Sequence, residues 1–216
     1  IYITIMNFKL NIPESLNEVT LSQYQKWVKI IDEEKISTFF QQKMIEIFCD
    51  AELKKILQMK VKDVDEVTSN IDNLFNEKPL FVPTFKLGEI EYGFIPQLDE
   101  MTFGEYIDLD NYLTDWETMH KAMSVLFRPI LHKRKGKYVI EEYQGSDTYN
   151  LSEMPLNVVM GALVFFCNLR NELQKHILNY LKTQDQVEIP QGLKDSLKNG
   201  IGINPSIPYH REILEN

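Results

Sequence analysis

Two cysteines in 216 residues leave no disulfide framework to read. Cys49 and Cys167 each fall inside an apolar helical pattern, IEIFCD and LVFFCNL, where a reduced, buried thiol is expected. Long hydrophobic runs are also missing. The longest, VVMGALVFFC over 158–167, is about half of the roughly 20 residues that a bilayer requires, so it is expected to be a buried core helix. Basic residues are outnumbered, 23 Lys and Arg against 32 Asp and Glu, for a formal net charge of -9. That balance excludes a phosphate-neutralising surface spread over the whole molecule, so nucleic acid is not expected as the main partner. The first residues, IYITIMNFKL, alternate as a strand does and lack a basic start followed by an apolar run. No secretory leader is therefore expected, and Met6 is a candidate start. Nucleophile elbows (GxSxG), phosphate loops (GxxxxGK[ST]), dinucleotide fingerprints and the zinc pattern HExxH do not occur. Gly88, Gly93 and Gly104 are spaced as turn glycines instead. No cofactor and no metal are expected, and a binding role is favoured over an enzymatic one.

What is present is a self-similar body. With 44% hydrophobic and 25% charged residues the chain can bury a real core. FKLNIPESLNEVTLSQY, from Phe8 to Tyr24, aligns with FKL at Phe85–Leu87 and, after an intervening GEIEYGF, with IPQLDEMTFGEY ending at Tyr106. Ile12 and Pro13 pair with Ile95 and Pro96, Leu16 with Leu98, Glu18 with Glu100, Thr20 with Thr102, and Tyr24 with Tyr106. Further on, MKVKDVDEVTSNIDNLFNE from Met59 aligns without a gap to MPLNVVMGALVFFCNLRNE from Met154, with six identities where chance would give about one. Two divergent copies of one strand-then-helices unit, over 8–78 and 85–173, are the expectation.

The matched residues have a structural reading first. Thr20 with Gln23, and Thr102 with Glu105, fit the capping box that opens a helix. Pro13 and Pro96 lack the amide that a strand ladder needs, so each is expected to end a strand. Tyr24, Trp27, Val28 and Ile31 share a helical face, a second helix is expected around 39–48 after the polar DEEK, and Val61, Val64, Ile71, Leu74 and Phe75 make a third stripe. The corresponding helix of the second copy, 156–169, is apolar nearly all round and is expected to be central or in an interface. Gly88 is read as a hairpin turn, and Gly136, in the insertion LHKRKGKYVIEEYQGSDTY, as a hairpin tip. After about Leu181 the chain is rich in Gly, Pro and Asn, with at most a short helix at 193–197. The expected fold class is thus mainly α (α+β): two divergent strand-plus-helices repeats with small β-hairpins and an extended C-terminal arm, divided as 1–80, 81–181 and 182–216.

Candidate chemistry is sparse. His120 lies one helical turn after Glu117, the spacing of a proton-transfer pair or of two metal ligands, although a satisfied surface pair explains it more simply. Glu105, Asp108, Asp110 and Asp115 could hold a hard cation, but they lack the glycine and spacing of a calcium loop and read as the solvated face of a helix. His132, Lys133, Arg134, Lys135 and Lys137 form a basic cluster suited to an acidic partner surface. With Ile207, Pro208 and Tyr209 of the arm, these are the partner-binding candidates.

The motif IPQLDEMTFGEYIDLDNYL, then MHKAMSVLFRPI and MPLNVVMGALVFF, resembles proteins encoded among the virion-morphogenesis genes of tailed bacteriophages. LSQYQ, KMIEIFC and MKVKDVDEV of the first copy resemble helical tail-assembly-chaperone-like proteins from the same setting. The resemblance spans most of 8–173 and implies a protein that binds other phage structural proteins, with homo-oligomerisation open, in the host cytoplasm or in the virion and without a membrane partner. It carries no functional residue over. A permanent connector or baseplate component, a host-protein binder and a metal-dependent hydrolase using His120 and nearby carboxylates are the alternatives.

Overall fold

The computed structural model describes residues 2–5, 8–31 and 38–183. Strands β1 (Tyr2–Ile5) and β2 (Phe8–Asn11) form an antiparallel ribbon with Tyr2 opposite Asn11. Ile12, Leu16 and Val19 then carry the chain through a buried corner into helix α1 (Leu21–Ile31). Helices α2 (Thr38–Phe48), α3 (Leu53–Ile56) and α4 (Val61–Phe75) complete the first half. The second half opens with strands β3 (Thr84–Leu87) and β4 (Ile90–Phe94), a 3-10 turn at Leu98–Glu100, and helices α5 (Phe103–Tyr112) and α6 (Met119–Leu126). Strands β5 (Phe127–Arg134) and β6 (Lys137–Ile140) follow, then helix α7 (Leu156–Thr183).

Both expected capping boxes form. The Thr20 hydroxyl accepts from the Gln23 amide at 3.2 Å while Gln23 Oε1 accepts from the Thr20 amide at 2.9 Å. At the second corner the Thr102 hydroxyl accepts from the Glu105 amide at 3.3 Å, and the Glu105 carboxylate accepts from the Thr102 amide at 2.7 Å. Each pair satisfies helix-start amides that would otherwise lack partners. Helices α4 and α7 begin at Val61 and Leu156, two positions that the alignment from Met59 and Met154 places opposite each other. Gly88 and Gly136 occupy left-handed turns, at φ 59° and 78°, where both hairpin tips were expected.

The expected small hairpins are parts of something larger. Strand β4 also pairs with β5, giving one four-stranded antiparallel sheet in the order β3-β4-β5-β6, so the fold is mixed α+β. Helix α6 passes straight into β5: Leu126 is its last residue, and Phe127 is already extended at φ -120°, ψ 124°. The helix that carries His120 therefore ends at Leu126, because Phe127, Arg128 and Pro129 pair with Phe94, Gly93 and Tyr92.

Buried side chains from both halves form one hydrophobic cluster. Tyr24 of α1 packs on Phe75 of α4 and edge-on against Trp116, at 5.7 Å and 4.6 Å between ring centroids. Phe94, Phe127, Phe81 and Phe165 make a second aromatic group between the sheet and α7. The halves are also stitched through the backbone, since the Leu21 amide donates to Met154 O at 3.0 Å and the Leu156 amide to Val19 O at 2.8 Å. The start of α7 is buried as its composition implied, with Leu156, Val158, Val159, Met160 and Ala162 all inside. Gly161 lets the chain at Leu80 come close: a Cβ there would lie 2.3 Å from Leu80 O. Val61 departs from its expected place on the α4 stripe: as the first residue of the helix it is 78% exposed, and packing against the core begins at Val64. Cys49 and Cys167 are buried thiols, and burial pushes Cys49 up to about 12. No helix among the described residues is long and apolar enough to cross a membrane. The arm beyond residue 183, with the short helix expected at 193–197, lies outside the described residues.

Candidate functional site

The basic hairpin is built by its turn. Lys135 and Gly136 both take positive φ, 51° and 78°, the two-residue geometry that matches the twist of a tight hairpin. Lys137 stands opposite Arg134, Tyr138 opposite Lys133, and Val139 opposite His132. Because side chains alternate across a strand, His132, Arg134, Lys137 and Val139 share one face, and Lys133 and Tyr138 share the other.

Tyr138 anchors the hairpin to the sheet. Its ring lies across Gly93 of β4, where a Cβ would come within 2.5 Å of it, and its hydroxyl donates to Phe94 O at 2.8 Å. Burial raises the phenol pKa. Lys133, on the same face, is held by Glu91 at 2.5 Å. His132, Arg134, Lys135 and Lys137 are exposed and make no ion pair with the described residues. Of the five basic candidates, one braces the sheet and four are presented outward.

The acidic run does not converge. Glu105, expected on a solvated face, is instead 4% exposed and bound to Arg128 of β5 at 2.8 Å. Both partners are buried, and the Glu105 carboxylate doubles as the capping-box acceptor. Arg128 also lies 5.8 Å from the centroid of the Tyr143 ring, and its Nε has no hydrogen-bond partner among the described residues. Asp108 accepts from the Tyr143 hydroxyl, which is driven up first by burial and then by that carboxylate. Asp115 accepts from the Glu117 amide at 2.9 Å, and Asp110 is exposed. No group of three or more His, Cys, Asp and Glu residues suited to a metal ion occurs among the described residues.

Nor do His120 and Glu117 form a working pair. Glu117 is bound to Lys29 at 2.8 Å, and that contact lowers its pKa. His120 Nδ1 lies 3.2 Å from Gln25 Nε2, and the half-buried ring has its pKa lowered, first by burial and then by neighbouring Lys121. Lys121 is itself paired with Asp147 at 2.9 Å.

A second surface was not anticipated. On α5, Phe103 is 77% exposed, Tyr106 53% and Ile107 42%, and with Asp110 these residues share one helical face. The spacing i, i+3, i+4, i+7 was visible in TFGEYIDLD, but the capping box drew attention to the helix start rather than to the face it presents. Ile207, Pro208 and Tyr209 lie outside the described residues. No family model, no curated protein and no solved structure matches this chain.

Proposed function

We propose that this chain is a non-enzymatic, chaperone-like binding factor in the assembly of tailed-bacteriophage virions, acting in the host cytoplasm by docking onto another phage structural protein. The observation that carries the reading is the presence of an exposed basic hairpin and an exposed aromatic helix face, on a molecule whose buried Glu105 and half-buried Asp108 carboxylates are committed to local contacts. Apolar side chains beside charge of one sign suit a protein-docking surface, and the tight two-residue turn holds the backbone beneath the basic groups, so that only their side chains are ordered on binding. The two-copy organisation belongs to the same proposal. It is supported by the matching capping boxes and by the aligned starts of α4 and α7.

A tagged chain expressed during phage infection should capture a virion structural protein, identified by mass spectrometry. Arg134→Glu/Lys137→Glu should abolish capture while leaving the thermal unfolding midpoint unchanged. Capture that ignores this charge reversal, or recovery of no phage protein at all, would overturn the reading. The permanent-component alternative is separated by purified particles: a chaperone is absent from them, a connector or baseplate part is present. The hydrolase alternative ranks last, because its carboxylates go to Arg128, Tyr143, Lys29 and solvent rather than to one cleft.

A further inference from the structure

The charge of the second half is segregated along the chain. Residues 87–120 carry nine Asp and Glu and no Lys or Arg, whereas residues 121–140 carry six Lys and Arg and no Asp or Glu. The fold spends part of each set internally, through Glu105 with Arg128, Lys133 with Glu91, and Lys121 with Asp147 across the next loop. What is left outside is of one sign on each element. On α5 the apolar centre of Phe103, Tyr106 and Ile107 has Asp110 on its own face, with exposed Asp99 and Glu100 on the turn that leads into the helix. On the hairpin, Val139 stands among His132, Arg134 and Lys137, with Lys135 at the tip and exposed Leu131 at the bulge.

We infer that these two surfaces fit each other between copies of this chain, the hairpin of one molecule seating on the α5 face of the next. The occupant of each surface is therefore a second copy. Each surface offers a small apolar centre with an ionic rim, the rims are opposite in sign, and both are open on the same molecule. Leaving both open at once is the arrangement that head-to-tail contact needs. Such a contact closes as a reciprocal two-fold dimer or as a ring, or grows as a chain. The aligned α1 supplies a further reason to expect a cover. Leu21 and Tyr24 occupy the positions of Phe103 and Tyr106, and there they are 0% and 3% exposed, beneath groups of the same molecule. This inference rests on the reading of the hairpin and the α5 face as protein-docking surfaces, and it names one partner for them.

Sedimentation analysis of the purified full chain tests it. At about 50 mM salt the weight-average mass should rise with protein concentration, and at about 500 mM salt the association should weaken at least tenfold, since screening shortens the reach of exposed charges. Two variants then separate the surfaces: Arg134→Glu/Lys137→Glu on the hairpin and Phe103→Ser/Asp110→Lys on α5. Every substituted position is exposed, so both variants should unfold at the wild-type temperature. Each alone should be monomeric, and their equimolar mixture should give a one-to-one dimer and nothing larger, because one intact α5 face meets one intact hairpin. A wild-type chain that stays monomeric at high micromolar concentration and low salt overturns the inference, as does a mixture that stays monomeric. If such a monomeric chain still captures a phage protein through its hairpin, self-association fails while the docking function stands.

Discussion

The α1 and α5 helices start alike and end up in opposite environments. Each follows a threonine cap closed reciprocally by the residue three places on, and each then carries a large apolar residue and, three positions later, a tyrosine. In α1 these residues, Leu21 and Tyr24, are core: the Leu21 amide is bonded to Met154 O, and Tyr24 is packed between Phe75 and Trp116. In α5 the aligned Phe103 and Tyr106 face solvent, and the residues drawn inward are Leu109 and the cap partner itself, Glu105, whose charge is met by Arg128. The same local grammar thus produces one helix that seals the molecule and one that opens it. Capping fixes where a helix begins; which side it buries depends on what the rest of the chain brings to it.

This contrast is open to direct attack by substitution. The largest difference is expected between Tyr24→Ala and Tyr106→Ala. The first should cost about 3 to 5 kcal/mol in denaturant unfolding, as truncation of a large buried aromatic does, while the second should stay within about 0.5 kcal/mol as an exposed change. Equal costs would erase the distinction between the two faces. Arg128→Met comes next. Leaving the buried Glu105 carboxylate without its partner should cost about 3 to 5 kcal/mol, and adding Glu105→Gln should recover much of that loss. At the first corner, Thr20→Ala removes the cap and a hydroxyl contact with Ser22 and should cost about 1 kcal/mol. The third helices extend the comparison: Gly161→Ala, aimed at Leu80 O, should cost about 1 to 3 kcal/mol, whereas Glu66→Ala at the aligned, exposed position of α4 should be close to neutral.

The smallest effect is a pH dependence at the junction of the two halves, where His120 meets Gln25 of α1. Its pKa is lowered in the folded chain, chiefly by burial, so the unfolded chain binds the extra proton first as pH falls. The neutral imidazole's contribution is fully present above its unfolded value of about 6.5 and is lost as pH drops toward the folded pKa. His120→Gln should flatten that part of the stability profile between pH 5 and 7, read by thermal melts; an unchanged profile would remove His120 from the account.

Much of the local structure was legible because it is written in short-range chemistry. Thr20 and Thr102, the turn glycines Gly88 and Gly136, and the apolar run starting at Leu156 each impose their geometry on neighbours within a few residues. The four-stranded sheet was not legible, because β4 meets β5 across the whole of α5 and α6, and nothing in GEIEYGF or FRPIL states that partner. For the same reason Glu105 reads as a surface carboxylate until Arg128 arrives from 23 residues away. The basic hairpin was readable as exposed, since a lysine-rich tip is solvated in any fold. The α5 face was not, because an apolar i, i+3, i+4 pattern is ordinarily the sign of burial.

The central claim is that Tyr24 belongs to the core while Tyr106, its counterpart, belongs to a docking surface. Hydroxyl-radical footprinting of the intact chain, read by mass spectrometry at tyrosine resolution, tests it across a concentration series. Tyr106 should be readily oxidised in dilute protein and become protected as copies associate, with Tyr24 protected throughout. Tyr24 and Tyr106 reacting alike in the dilute chain, or Tyr106 remaining fully reactive in the associated state, would contradict it.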